Sequence, residues 1–352
     1  MTISQKEYFD LLSGLVGIPS FSRDETAACD YLEAWLRAKG FDPARKGNNL
    51  WMSSDCGGGS GKPTLLLNAH IDTVKPSPSY TRDPFKATLD GDTLYGLGTN
   101  DDGGSLAALL AVYACLSETV QPYRLVWSAT AEEEVSGVNG LEAILDEIGP
   151  VSLGIIGEPT GMRMAVAEKG LMVLDCTAHG KSGHAARDEG ENAIYKALED
   201  IEWFRTHRFE KVSEYLGSVR MSVTMISAGT QHNVVPDECR FVVDVRPNGM
   251  YTNIELLGMI KESVQCDVKE RSVRINSSQI GTDHPVVVRA IGLGIVTFGS
   301  PTTSNMAVSA FPTVKIGPGE SSRSHTADEY ILVSEIENGI ETYIRLLDGL
   351  KI

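Results

Sequence analysis

The sequence has no Cys-x-x-Cys pair, no strong local basic patch and no window approaching the ~18 apolar residues of a membrane span. Each absence excludes something. With a formal charge of -16 and no basic patch to offset it, the chain repels nucleic-acid phosphates and acidic membrane surfaces, so neither is expected as a partner. The six cysteines, Cys29, Cys56, Cys115, Cys176, Cys239 and Cys266, lie far apart, a pattern of reduced thiols in a cytosolic protein. The opening stretch has no basic n-region, apolar h-region or small-residue cleavage site, and a cytoplasmic location is the expectation. No internal repeat, long linker or low-complexity tract interrupts the chain.

What remains is ordinary globular composition: 42% apolar, 22% charged, with 35 Gly and 15 Pro in 352 residues. That length exceeds what one hydrophobic core usually serves, which points to two domains, with one large α/β domain as the rival. A helix is expected from about Gln5 to Val16. Ser22-x-x-Glu25 then reads as a capping box before Ala28, Tyr31, Leu32, Trp35 and Leu36 at helical spacing, closed by Gly40. Short apolar runs at 64–67, 125–129 and 153–156 alternate with helical stretches at 105–116 and 137–145, which argues an α/β fold with a largely parallel sheet covered by helices.

From Leu171 to Val273 the order changes to β-α-β-β-α-β, a ferredoxin-like unit. Because α/β patterning resumes at 286–294 and 313–316, residues 167–276 read as an inserted domain within a discontinuous one made of 1–166 and 277–352. A last helix begins with the box Ser334-x-x-Glu337 and runs through Ile340, Ile344 and Leu347. Two motif-like stretches carry no chemistry. Residues 57–62 imitate a phosphate loop, but Pro63 stands where Ser or Thr is required and the stretch precedes a strand, so a flexible turn is expected. Asn276-Ser277-Ser278 is a glycosylation triplet without a secretory signal.

The chemistry lies at the strand ends. The run at 64–68 leads into His70 and Asp72, that at 124–130 into Glu132-Glu133-Glu134, and that at 152–156 into Glu158. Asp101 and Asp102 follow in a glycine-rich turn, 96–104, before a helix. Taken singly, each has a plain structural reading: a strand-end histidine, a solvated charge run, a strand terminus. In open α/β sheets ligands bind beyond the carboxyl ends of strands, so these groups are expected to converge. Converging carboxylates repel unless protons or cations offset them, and a divalent metal site is the economical answer. One His, no Cys and several oxygens per ion suit zinc, cobalt or manganese. In His70-x-Asp72 both side chains share one face of an extended segment, so Asp72 can hold the imidazole in its metal-binding tautomer.

These residues resemble the zinc-dependent deacylases and exopeptidases that include acetylornithine deacetylase, succinyl-diaminopimelate desuccinylase, aminoacylase and glutamate carboxypeptidase. The resemblance spans essentially the whole chain and rests on five motifs in order: 67–74, 95–101, 130–134, 157–160 and 324–329. It implies a zinc-exopeptidase-like catalytic domain with an inserted dimerisation domain, two divalent ions, and a homodimer acting on a small N-acyl amino acid. Position by position, it implies that His70 and Glu158 bind one metal, Glu134 and His325 the other, and that Asp101 bridges them. Glu133 would be the general base acting on water between the metals, and would then protonate the leaving amine. His184 would cross into the partner's active site and steady the oxyanion, where its plain reading is an ordinary loop residue. Asn233 and Arg246 match substrate-contacting positions, with Arg246 suited to a bidentate hold on a carboxylate, although a surface arginine is equally consistent. Thr303, Gly317 and Gly319 are expected to line the pocket.

Two departures stand out. Asp102-Gly103-Gly104 replaces the usual Met-Lys-Gly, placing a second acid beside the metals, to tune the site or to cap the helix at Ser105. Asn305 stands where many relatives carry Asp. The function expected is hydrolysis of N-acetyl- or N-succinyl-ornithine or -citrulline in arginine biosynthesis. The alternatives are a succinyl-diaminopimelate desuccinylase, an exopeptidase or dipeptidase, and, from another class, a binding protein on a catalytically dead hydrolase fold.

Overall fold

A computed structural model describes residues 3–57, 61–187 and 189–352, so Gly58, Gly59 and Ser60 of the phosphate-loop-like stretch lie outside the described residues. The chain splits into two compact units, Met1–Val166 with Gln279–Phe298 and Ser304–Ile352, and Ala167–Ser278 with Gly299–Thr303.

The first unit is built on a mixed sheet whose central strands are parallel. Across it run Ala44–Lys46, Asn49–Ser54, Arg124–Thr130, Thr64–His70, Leu153–Ile156 and Thr313–Lys315, continuing to Met164–Glu168 through the pair Lys315 and Ala165. Every residue of Thr64–His70 is buried, as its unbroken Leu-Leu-Leu run requires of a strand covered on both faces. The helix Gly104–Leu116 is apolar all round and lies in the core, with Cys115 alone of its residues half-buried. On the other side, Leu141, Ile144 and Ile148 of the helix Leu141–Ile148 pack with Leu66, Val126, Ile156 and Met306.

This order places Thr64–His70 between Arg124–Thr130 and Leu153–Ile156, which leave it on opposite sides. Such a switch opens a crevice beyond the carboxyl ends of the strands. The register aligns His70 with Thr130, Asn68 with Ile156, and Ile156 with Lys315, so the loops that follow start from one level.

The second unit has a four-stranded antiparallel sheet in the order Arg220–Ala228, Glu238–Arg246, Met172–His179, Asp267–Glu270. Strand alternation buries Met172, Leu174, Cys176 and Ala178 beside Phe241, Val243 and Val245, against apolar residues of the helices Ala193–Thr206 and Asn253–Ser263. The chain order is the expected β-α-β-β-α-β.

Local capping differs from expectation in two places because tertiary partners take the carboxylates. Glu25 is itself the N-cap of Thr26–Ala38 and is buried, with Oε1 accepting from the N–H of Glu132 at 3.3 Å and Oε2 from Asn48. The last helix starts at Val333 with Leu332 as its N-cap, two residues earlier than a Ser334 cap implies: Glu335 accepts from the Leu332 N–H, and Ser334 bonds Asp92. The helix expected from Gly137 begins only at Leu141. Among the described residues no helix is long and apolar enough to cross a membrane.

Candidate metal centre

His70 ends the central strand, and its ring is fixed from behind. Nδ1 lies 2.8 Å from the backbone carbonyl of Asp72 and 3.5 Å from its carboxylate, which leaves Nε2 facing Asp101 Oδ1 at 3.2 Å. The tautomer is therefore set chiefly by the Asp72 carbonyl, where the sequence pointed to its side chain. The Asp72 carboxylate has other work. Oδ2 accepts from Ser22 Oγ at 2.7 Å and from the Glu134 N–H at 3.1 Å, and Oδ1 accepts from the Glu133 N–H at 3.0 Å. It thus pins the short turn Glu133–Val135, which is entered through Glu132 in the left-handed region at φ 57°.

Asp101 is held from a distant part of the chain. The Tyr330–Leu332 strand pairs with Thr93–Tyr95, and the Gly96 N–H donates to the Glu329 carbonyl. This brings Glu329 Oε1 to 2.9 Å from the N–H groups of both Asn100 and Asp101. His325, left-handed at φ 59°, places Nε2 at 2.9 Å from Glu134 Oε2 and 3.8 Å from Asp101 Oδ2. Glu133 Oε2 lies 3.9 Å from His70 Nε2. Ligand atoms of His70, Asp101 and Glu134, and of His70, Glu133 and Glu158, lie within 4.8 Å of one another in two sets that share His70.

The electrostatics show what such a cluster demands. Burial, then the charges of Glu134, Asp72 and Asp101, pushes Glu133 up to about 8. Burial and Glu133 push Glu158 well above the carboxylate range, with the Lys315 ammonium opposing them. Burial opposes a charged His70, but Asp101 and Asp72 outweigh it and hold the ring well above its ordinary pKa. Hydrogen bonding to Glu134 takes His325 up to about 9. Each of these shifts favours the less negative form of the cluster, as crowded carboxylates without a cation require. Two imidazoles and four or more carboxylates at one crevice are the oxygen-rich donor set that zinc-like divalent ions take, so the residues fit such ions.

The remaining sequence-predicted residues fall as follows. Gly317 and Gly319 belong to the same unit as the cluster. A Cβ on Gly317 would meet the Glu158 carbonyl at 2.5 Å, and Gly319, at φ 86°, sits against Asn100 Oδ1. His184, Asn233, Arg246 and Thr303 belong to the other unit. His184 is exposed, its Nδ1 accepting from the Ala186 N–H, and the Asn233 carbonyl accepts from the Ala185 N–H. The Arg246 fork is already held by Asp244, at 2.7 and 3.0 Å, while Nη1 reaches Thr303 Oγ1 at 3.3 Å. Asp102 is buried, with Oδ2 3.4 Å from the His70 N–H and Oδ1 unpartnered among the described residues. Asn305 is an internal crosslink: its amide donates to Asn68 Oδ1 and Thr130 Oγ1, tying two strand ends together.

Sequence reading gave Glu329 and Lys315 no role. Glu329 lies inside a quoted motif, and Lys315 shows as a lone cation in the apolar run 313–316.

Residues 66–349 match the model of peptidase family M20/M25/M40. A succinyl-diaminopimelate desuccinylase of Cereibacter sphaeroides is 28% identical, over 96% of this chain and 97% of that protein. An acetylornithine deacetylase of Proteus mirabilis is 27% identical, over 99% of this chain and 98% of its own length. Among solved structures, the aminopeptidase PepT from Bacillus cereus superposes with a TM-score of 0.78 at 20% identity, over 98% of both chains.

Proposed function

We propose that this chain, which belongs to peptidase family M20/M25/M40, hydrolyses the amide bond of an N-acyl amino acid of the N-acetyl- or N-succinyl-ornithine or -citrulline type, in arginine biosynthesis. The protein is a metallo-hydrolase of that family. His70 and Glu158 would hold one divalent ion and Glu134 and His325 the other, with Asp101 shared. Zinc is the first choice and cobalt or manganese the others. Bound there, the ions would supply Lewis acidity, polarising the amide carbonyl and making water more acidic.

The observation that carries the reading is the placement of Glu133. Its backbone is pinned by Asp72, and its carboxyl is buried in the cluster with Oε2 3.9 Å from His70 Nε2. A carboxylate so placed takes a proton from the attacking water and returns it to the departing amine nitrogen. Asn233, Arg246, Thr303, Gly317 and Gly319 would contact substrate, and His184 would steady the oxyanion across a homodimer. The strand Arg220–Ala228, at the edge of its sheet with Met225 and Ile226 exposed, supports the inserted unit as the dimer surface. Free cysteines fit a cytoplasmic enzyme.

The relatives support a second reading, desuccinylation of succinyl-diaminopimelate, equally well on identity, and dipeptide cleavage is the third. The test is amine release from acetyl- and succinyl-ornithine, acetyl- and succinyl-citrulline, succinyl-diaminopimelate and dipeptides, with zinc or cobalt and with a chelated control. Chelator-sensitive release from an acyl-ornithine or acyl-citrulline is expected. Release from succinyl-diaminopimelate or dipeptides alone would replace the substrate assignment, and silence across the panel with metal bound would leave a binding protein.

A further inference from the structure

The inserted unit contains a cavity of about 550 Å³, within the usual size for small-molecule sites. Its charged lining is Lys169, Arg205, Arg208 and Arg220, with His207, and no Asp or Glu contributes. In a chain with 47 acidic and 31 basic residues, a cavity walled by cations alone runs against composition. The cations come from separate stretches of sequence and only folding gathers them.

Their bonding leaves charge uncompensated. Arg205 is bound by Glu202, with Oε2 2.7 Å from Nε, which neutralises one of the four. Arg208 Nη1 donates to two backbone carbonyls, of Arg205 and His207, which satisfies protons and not charge. Arg220 stands on the outer strand directly opposite Arg246, and no carboxylate pairs with it among the described residues. Lys169 is the most telling. It is only 5% exposed, and among the described residues its ammonium has one hydrogen-bond partner, the Ser218 carbonyl at 2.7 Å. Burial first, then the like charges of Arg220 and of Arg246, the latter already paired with Asp244, lower its pKa. A buried cation facing cations is costly unless an anion joins them.

We propose that this cavity binds a small oxyanion carrying two or more negative charges, with Lys169 and Arg220 as its principal contacts and Arg208 completing the cradle. Three uncompensated cations set the charge, and the forked guanidinium geometry favours planar or tetrahedral oxyanions held through paired N–H donors. Phosphate-type ions and polycarboxylates share that chemistry.

The test is calorimetric titration at constant ionic strength with inorganic phosphate, with citrate and with acetate, on metal-loaded protein and again after chelation. Saturable binding of one phosphate or one citrate per chain, surviving chelation, is expected, with no saturable binding of acetate. Phosphate alone or citrate alone would assign the source. Arg220→Ala, a change at an exposed side chain, is expected to weaken binding at least about tenfold, and Lys169→Met to do the same. Absence of saturable binding, loss on chelation, or an unchanged affinity in Arg220→Ala would overturn the proposal. Failure of Lys169→Met to fold leaves the Arg220 result decisive.

Discussion

The carboxylate of Asp72 accepts the backbone N–H of Glu133 at 3.0 Å, so the residue two positions after His70 also fixes the turn that carries the proposed base. One side chain thereby links the ends of two adjacent strands. Removing it leaves the N–H groups of Glu133 and Glu134 and the Ser22 hydroxyl without their acceptor. Asp72→Ala is therefore expected to lower kcat by ~10–100-fold, the scale for losing an outer-shell partner, with Asp72→Asn intermediate because its carbonyl still accepts. Steady-state kinetics with metal saturation checks this.

Glu133→Gln retains shape and loses the ability to take a proton. Turnover is expected to fall at least ~100-fold while metal content, measured by elemental analysis, stays unchanged. Loss of metal together with activity would make Glu133 a ligand.

Glu329 acts through Asp101. Glu329→Ala strips the acceptor from the Asn100 and Asp101 N–H groups in a buried site and is expected to weaken metal binding by ~10–100-fold. Competition against a chromogenic chelator reads that directly, and Glu329→Gln is expected to recover most of the loss.

Away from the centre, the buried carboxylate of Asp200 accepts the N–H groups of Gln265 at 2.8 Å and Cys266 at 2.9 Å. Asp200→Ala is expected to destabilise the inserted unit by about 1–3 kcal/mol, the cost of orphaning the buried Cys266 N–H and the half-buried Gln265 N–H. Urea unfolding followed by tryptophan fluorescence, with Trp35, Trp51 and Trp127 replaced by Phe in both proteins so that Trp203 alone reports, measures it.

Glu7 gives the pH dependence. Its bond to Lys39, with help from the Ser4 N–H, lowers its pKa from 4.5 to about 2. A carboxylate depressed in the folded state contributes stability above its unfolded pKa and loses it as pH falls through the folded one. Both side chains are about one-third exposed, so solvent screening keeps the effect small. Glu7→Gln is expected to melt slightly lower than the parent at pH 7 and level with it near pH 2, by calorimetry.

Much of the centre was legible because a parallel strand buried on both faces writes itself as an apolar run, and the cluster of His, Asp and Glu just beyond it falls at the strand's carboxyl end. His70, Glu132–134 and Glu158 were readable in this way. The helix Gln5–Val16 was readable from its apolar spacing. What failed was local capping logic: Glu25 and Glu337 sit at box spacing, yet Glu25 turns inward to the Glu132 N–H and Glu337 bonds Gln5. A carboxylate that finds a tertiary donor abandons its own helix end. Glu329 lay within a motif, but its role did not show, because the Asn100 and Asp101 N–H groups it holds are more than two hundred residues away; Lys169 was illegible because the cations around it come from separate stretches.

The sheet of the first unit is finished by a strand from the far side of the insertion: Thr313–Lys315 lies between Leu153–Ile156 and Met164–Glu168. During synthesis the ribosome delivers those two neighbours first and the strand between them, at ~5–20 residues per second, on the order of ten seconds later. Until then the nascent sheet has a vacant lane, and His325 has yet to leave the tunnel. The inserted unit, contiguous but for its short 299–303 segment, can fold in that interval, and the centre is completed last.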